Sequence, residues 1–235
     1  LLISKSKPSI FEWMENLDYN RWESSWKEGE AMKRLLYLLG IIALIGFIGI
    51  GFTFADGTFG EVDRQAADLL TGIGLLDVLS VLADEAVVFI VGIAMIVYLW
   101  LRRRDYRGML FVFLTVGAGR ALNQGLKEVY QRERPDFSHG LDSYGFPSWH
   151  AMGAVLYLLT AAYFLVGSLG SRTAQGLVWL AASGLAIAIG LSRVSGGEQY
   201  FSDVLAGWCA GFALFAAVTF WYEMRERSFK RAHTQ

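Results

Sequence analysis

The sequence predicts an all-α integral membrane protein, a bundle of six transmembrane helices preceded by an amphipathic helix lying in the membrane interface. Three observations carry this prediction. Hydrophobic residues make up 54% of the 235 positions and charged residues 18%, a balance more apolar than that of an average soluble domain. Six stretches are apolar over roughly the length of about 20 residues that a helix needs to cross the hydrocarbon core. The basic residues of the short connections also concentrate on alternate loops, as a fixed orientation in a bilayer demands, while Lys127, Arg132 and Arg134 on an outer loop run against that trend and suggest a job for those charges. Helices follow because each stretch is about twice the length of a barrel strand and because lipid offers backbone polar groups no partner.

In chain order, residues 1–34 form a cytoplasmic segment in which Phe11, Trp13, Met14, Leu17, Tyr19, Trp22 and Trp26 alternate with charged residues, with Lys33 and Arg34 at the membrane edge. Tryptophan and tyrosine favour the headgroup level, so an interfacial helix is expected there. The membrane domain covers 35–223, with spans expected at 35–55, 86–101, 108–126, 151–170, 173–192 and 204–222. The third carries Arg120. Between the first two spans, 56–84 mixes charge with leucines and is expected to form a partly helical cap. Residues 224–235 are a cytoplasmic tail.

Arg102, Arg103, Arg104 and Arg107, then Arg172, then Arg225, Arg227, Lys230 and Arg231 mark the cytoplasmic side. Both termini are therefore expected inside, in a cell membrane, and 56–85, 127–150 and 193–203 outside. The charged start of the chain does not resemble a signal peptide. A net charge of -1 gives no basic surface for nucleic acid, and the single Cys209 supports neither an intrachain disulfide nor a Cys-rich metal site.

Three outer segments place polar residues beside the spans, where burial is expensive and function is the default suspicion. They are 127–135 with Lys127, Arg134 and Pro135; Pro147-Ser148-Trp149-His150; and 192–203 with Ser192, Arg193, Glu198, Gln199 and Asp203. Each alone reads as an ordinary headgroup contact or surface residue. Together, Lys127, Arg134 and Arg193 supply three cations to one end of the bundle, a donor set suited to a phosphate group. Pro147 and Ser148 read as a helix start, whose free N–H groups add to an anion cradle. His150, in the first turn, has the chemistry to protonate a leaving alkoxide.

These clusters resemble the signature of the type 2 phosphatidic acid phosphatases, membrane relatives of the vanadium-dependent haloperoxidases: Lys, six residues, Arg-Pro; Pro-Ser-Gly-His; and Ser-Arg, five residues, His, three residues, Asp. The likeness extends over about 35–223, and Arg120 and Asn123 resemble bacterial phosphatidylglycerophosphate and undecaprenyl-pyrophosphate phosphatases. It implies a lipid phosphate or pyrophosphate substrate, a metal-independent reaction without a cofactor, Lys127, Arg134, Ser148 and Arg193 as phosphate ligands, His150 as general acid and Asp203 as the group orienting the nucleophile.

Two positions depart from that signature. Gln199 stands where the family has its nucleophilic histidine, and an amide nitrogen, its lone pair delocalised, cannot form a phosphohistidine. Trp149 stands where the family has glycine, crowding the approach of phosphate to the backbone. Ser195-Gly196-Gly197 also replaces a Tyr-Leu-Gly common in relatives. His139, on the same outer loop, and His233, in the cytoplasmic tail, offer no placed substitute. The expected function is thus a lipid phosphatase scaffold impaired at its nucleophile, with a non-catalytic lipid-phosphate binding protein as the alternative. A transporter fits less well, since the spans show no paired broken helices.

Overall fold

The computed structural model describes residues 10–135 and 143–233, with side chains described from 31 to 225 apart from 74, 75, 77 and 136–142. His139 and the side chain of His233 lie outside the described residues. The chain divides into two compact units, 1–39 and 40–235. Among the described residues every regular element is helical: α1 Ile10–Thr53, α2 Gly60–Leu70, α3 Gly74–Ser80, α4 Glu85–Tyr98, α5 Tyr106–Val112, α6 Ala118–Tyr130, α7 Trp149–Val166, α8 Arg172–Ser195 and α9 Phe201–His233. A π-helical turn, Leu99–Arg103, extends α4, and another, Phe113–Gly117, joins α5 to α6 without a break.

Five helical segments are long and apolar enough to cross a membrane: Ala31–Asp56, Glu85–Arg103, Trp149–Val166, Arg172–Ser195 and Phe201–Arg225. The remaining expected span, 108–126, lies in the α5 to α6 run, where Arg120, Asn123 and Gln124 dilute the apolar character. The expected cap between the first two spans is α2 and α3.

Local sequence explains the helix starts. The Asp105 side chain accepts from Gly108 N at 2.8 Å to open α5. Ser148 accepts from Ala151 N at 3.3 Å to open α7, and Ser171 accepts from Ala174 N at 3.4 Å to open α8. Each thereby satisfies one of the donors a helix N-terminus leaves free.

Helix α7 is the core of the membrane unit, with Ala151, Met152, Ala154 and Leu156 fully buried and α8 and α9 packed against it. Close approach to α9 depends on glycine. A Cβ at Gly207 would lie 2.5 Å from Ser148 O, and one at Gly211 2.9 Å from Met152 O. This is the small-residue seam by which membrane helices bring backbones together. Thr160 on α7 donates to Thr115 at 3.1 Å, both side chains being fully buried. Outward faces remain apolar, as at Ile41, Ile45, Ile90, Ile93 and Leu180, which is what a lipid environment requires.

Candidate active site

The polar residues gather where α6 ends, α7 and α9 begin and α8 ends. Helix α6 turns one stripe inward at four-residue spacing: Gly119, Asn123 and Lys127 are buried. Gly119 lets Leu156 approach, Asn123 Nδ2 donates to Pro147 O at 3.1 Å, and Lys127 Nζ donates to Tyr144 O. The same short segment takes two more donors. Arg134 Nε donates to Ser143 O at 2.7 Å, and Gln199 Nε2 donates to Gly145 O at 2.9 Å. Three consecutive carbonyls, 143 to 145, therefore bind Arg134, Lys127 and Gln199 in turn.

Aromatic packing holds this segment. Phe146, fully buried, stacks on Phe54 with centroids 5.0 Å apart and on Phe47 at 5.9 Å, and meets Tyr130 edge-on at 4.8 Å. The Phe146–Pro147 peptide is cis. Gly145 leaves room beside Asp203, whose Oδ2 would lie 3.0 Å from an added Cβ.

Arg193, in the last turn of α8, is buried and pairs through Nη2 with the Glu198 carboxylate. Arg134 Nη1 donates to the carbonyl of the same Glu198 at 3.1 Å. Glu198 thus joins two of the three expected phosphate ligands. Burial holds the Arg134 guanidinium below its ordinary pKa, and the charge of Asp203 works against that shift.

Asp203, fully buried, accepts from Arg132 Nη1 at 2.7 Å and from Tyr200 N at 3.2 Å. Its carboxylate is held by Arg132, and the Gln199 amide turns instead to Gly145. Gln199 Oε1 is buried with no hydrogen-bond partner among the described residues. Arg132 also donates to Ser202 Oγ at 2.8 Å and to Asp63 Oδ2 at 3.2 Å, and lies over the rings of Tyr200 at 4.4 Å and Phe54 at 5.0 Å. Asp63, on α2, accepts from Ser202 N and Ser202 Oγ, both at 2.7 Å. The cap is thereby tied to the start of α9.

His150 Nε2 lies 3.4 Å from Asp84 Oδ1, just ahead of α4. Trp149 is buried; its indole lies along α7 against Gly153, with the nearest ring atom 3.1 Å from an added Cβ, and beneath the Arg120 guanidinium at 5.3 Å. Arg120 itself pairs with Glu85 at 3.0 Å. Among the described residues no three His, Cys, Asp or Glu side chains cluster as metal ligands.

Sequence reasoning did not single out Arg132, Asp63, Ser202 or Asp84 as site residues. The nearest signal was Arg132 itself, a cation on a loop where the positive-inside trend disfavours one. Asp63 had none, because its partners lie about 70 and 139 positions away.

A multi-helix membrane protein with Lys127, Arg134 and Arg193 drawn to one end of the bundle defines a class, an all-helical membrane protein with a cation-lined polar cluster at the helix ends. Residues 108–227 match the PAP2 superfamily, and the chain belongs to that family. It is 36% identical over 154 residues to phosphatidylglycerophosphatase B of Bacillus subtilis (strain 168), covering 64% of this chain and 72% of that protein. The crystal structure of a transmembrane PAP2 type phosphatidylglycerolphosphate phosphatase from Bacillus subtilis superposes with a TM-score of 0.67 at 28% identity, covering 79% of this chain and 96% of that one. The chain is therefore a multi-pass membrane protein homologous to lipid phosphatases.

Proposed function

We propose that this chain binds the phosphate of a membrane lipid, of the phosphatidylglycerophosphate, phosphatidate or polyprenyl pyrophosphate kind, at the outer face of a six-span bundle. In this reading both termini are cytoplasmic and the α5 to α6 run is the third span. Lys127, Arg134 and Arg193, with Ser148 at the α7 N-terminus, are the phosphate ligands. His150 is the residue assigned to protonate a leaving oxygen, and Asp203 the orienting carboxylate for position 199.

Hydrolysis by this scaffold needs a nucleophile that attacks phosphorus, donors that neutralise the developing charge and an acid for the leaving group. In this reading Lys127, Arg134 and Arg193 are the candidate donors and His150 the candidate acid. The observation that carries the proposal of impaired turnover is Gln199, whose amide nitrogen donates to Gly145 O and has no lone pair to offer phosphorus. The binding role stands on the retained cations, and hydrolysis is expected to be very slow or absent.

The test compares phosphate release by this chain and by Gln199→His, Trp149→Gly and the double variant over a panel of lipid phosphates. Release recovered only where histidine is restored supports an altered phosphatase. Binding without release in all four supports a dedicated lipid-phosphate binding protein. Robust release by the unaltered chain that survives His150→Ala would overturn the assignment.

A further inference from the structure

Resting on the phosphate-site reading, we infer that Glu198 is an intramolecular competitor for the lipid phosphate, its carboxylate seated on the Arg193 guanidinium that the phosphate would take. The local chain is built to deliver it there. Helix α8 ends at Ser195, and Gly197 adopts a φ of +67°, a conformation that residues with a Cβ rarely take. The reversal brings Glu198 N and Gln199 N back onto Arg193 O at 3.0 and 3.2 Å, so Glu198 folds over the residue five places before it. Its carboxylate then pairs with Arg193 Nη2 while its carbonyl accepts from Arg134 Nη1.

Carboxylate and phosphate present the same feature to a guanidinium, a pair of anionic oxygens that its planar fork binds. Arg193 Nε is buried and has no acceptor among the described residues, so the pairing with Glu198 leaves part of the fork unused. A phosphate with three free oxygens is able to take both donors where Glu198 engages one. Glu198 is partly exposed, with 31% of its side chain accessible, so it can swing away without unfolding the turn. Phosphate binding is then coupled to displacement of Glu198, and the observed affinity is the intrinsic affinity scaled by the fraction of molecules in which Arg193 is open. Glu198 is in this sense a specificity determinant: a ligand must hold Arg193 better than a tethered carboxylate does.

The test uses the full chain in phosphatidylcholine nanodiscs, with phosphatidic acid mixed into the bilayer in one arm and inorganic phosphate added to the solution in the other. Glu198→Gln keeps the shape and removes the charge, and should bind phosphatidic acid about tenfold more tightly, the factor for a pocket open about a tenth of the time. The gain should vanish in Glu198→Gln, Arg193→Gln. Glu198→Asp, one methylene shorter, should show an intermediate gain and serves if the glutamine variant does not fold. A gain in both arms assigns the competition to phosphate chemistry; a gain with inorganic phosphate alone supports the competition and overturns a lipid as its ligand. Equal affinity of the original and Glu198→Gln, or a gain that survives loss of Arg193, overturns the inference while leaving the phosphate site standing. Binding of neither probe to any variant overturns the phosphate site and the inference with it.

Discussion

Removing Arg132 is expected to be among the most damaging single changes at this end of the bundle. Its guanidinium bridges Asp203, which is fully buried, and Asp63, which is 6% exposed. Replacement by methionine keeps much of the volume and takes the guanidinium away from both carboxylates. Asp63 retains two donors from Ser202, but among the described residues Asp203 retains the Tyr200 amide alone. The loss therefore falls mainly on Asp203, and breaking a buried pair from one side costs on the order of 3–5 kcal/mol. Arg132→Lys keeps the charge without the fork and reaches only one carboxylate at a time, so about 1–3 kcal/mol is expected. Arg132→Met with Asp203→Asn removes the stranded charge and should recover part of the loss. Thermal unfolding in mild detergent, run as a double-mutant cycle, measures this directly. A coupling of about 0.5–3 kcal/mol is expected between groups in contact. Strict additivity, or a loss below about 1 kcal/mol for Arg132→Met, would refute the view that Arg132 neutralises the buried Asp203.

Further outcomes follow from the same geometry. Gly207→Leu should destabilise the α7 to α9 seam by about 1–3 kcal/mol or more, since overpacking forces backbone apart, whereas Gly176→Leu, with nothing within 4 Å of an added Cβ, should stay within about 0.5 kcal/mol. Gln199→His should raise turnover where Trp149→Gly alone raises only phosphate binding, with the double variant exceeding both; equal turnover in all three would separate position 199 from the chemistry. In a Cys209→Ala background, a cysteine at Ser143 should react with an impermeant thiol reagent from outside and one at Ser171 should not; the reverse would invert the proposed orientation. Thr160→Val should cost about 0.6 kcal/mol, the usual worth of an interhelical hydroxyl bond in a membrane, and a cost above about 2 kcal/mol would point to an additional role for the Thr115 pair.

Much of the architecture was legible in the chain because it depends on neighbours in sequence. Apolar stretches of spanning length declare themselves without reference to their partners, and five of them are helices long and apolar enough to cross. Ser148 announced the start of α7 by its place before an apolar run, and its hydroxyl accepts from Ala151 N. The family was legible in Lys127, Arg134, Pro135, Ser148, His150, Arg193 and Asp203, because spacing along a chain survives without coordinates. What each of these residues touches was decided only by the tertiary structure. A charged side chain takes its partner from whatever packing brings within a few ångströms, so Asp203 went to Arg132, Arg193 to Glu198, and Lys127, Arg134 and Gln199 to three successive carbonyls. The bond from Ser202 to Asp63, 139 positions away, joins a cap helix to a membrane helix, and no local pattern encodes that distance. Chemistry-bearing residue types are a property of the sequence, whereas their pairing is a property of the packed bundle, since burial leaves each charge to be satisfied by the groups the helices carry beside it.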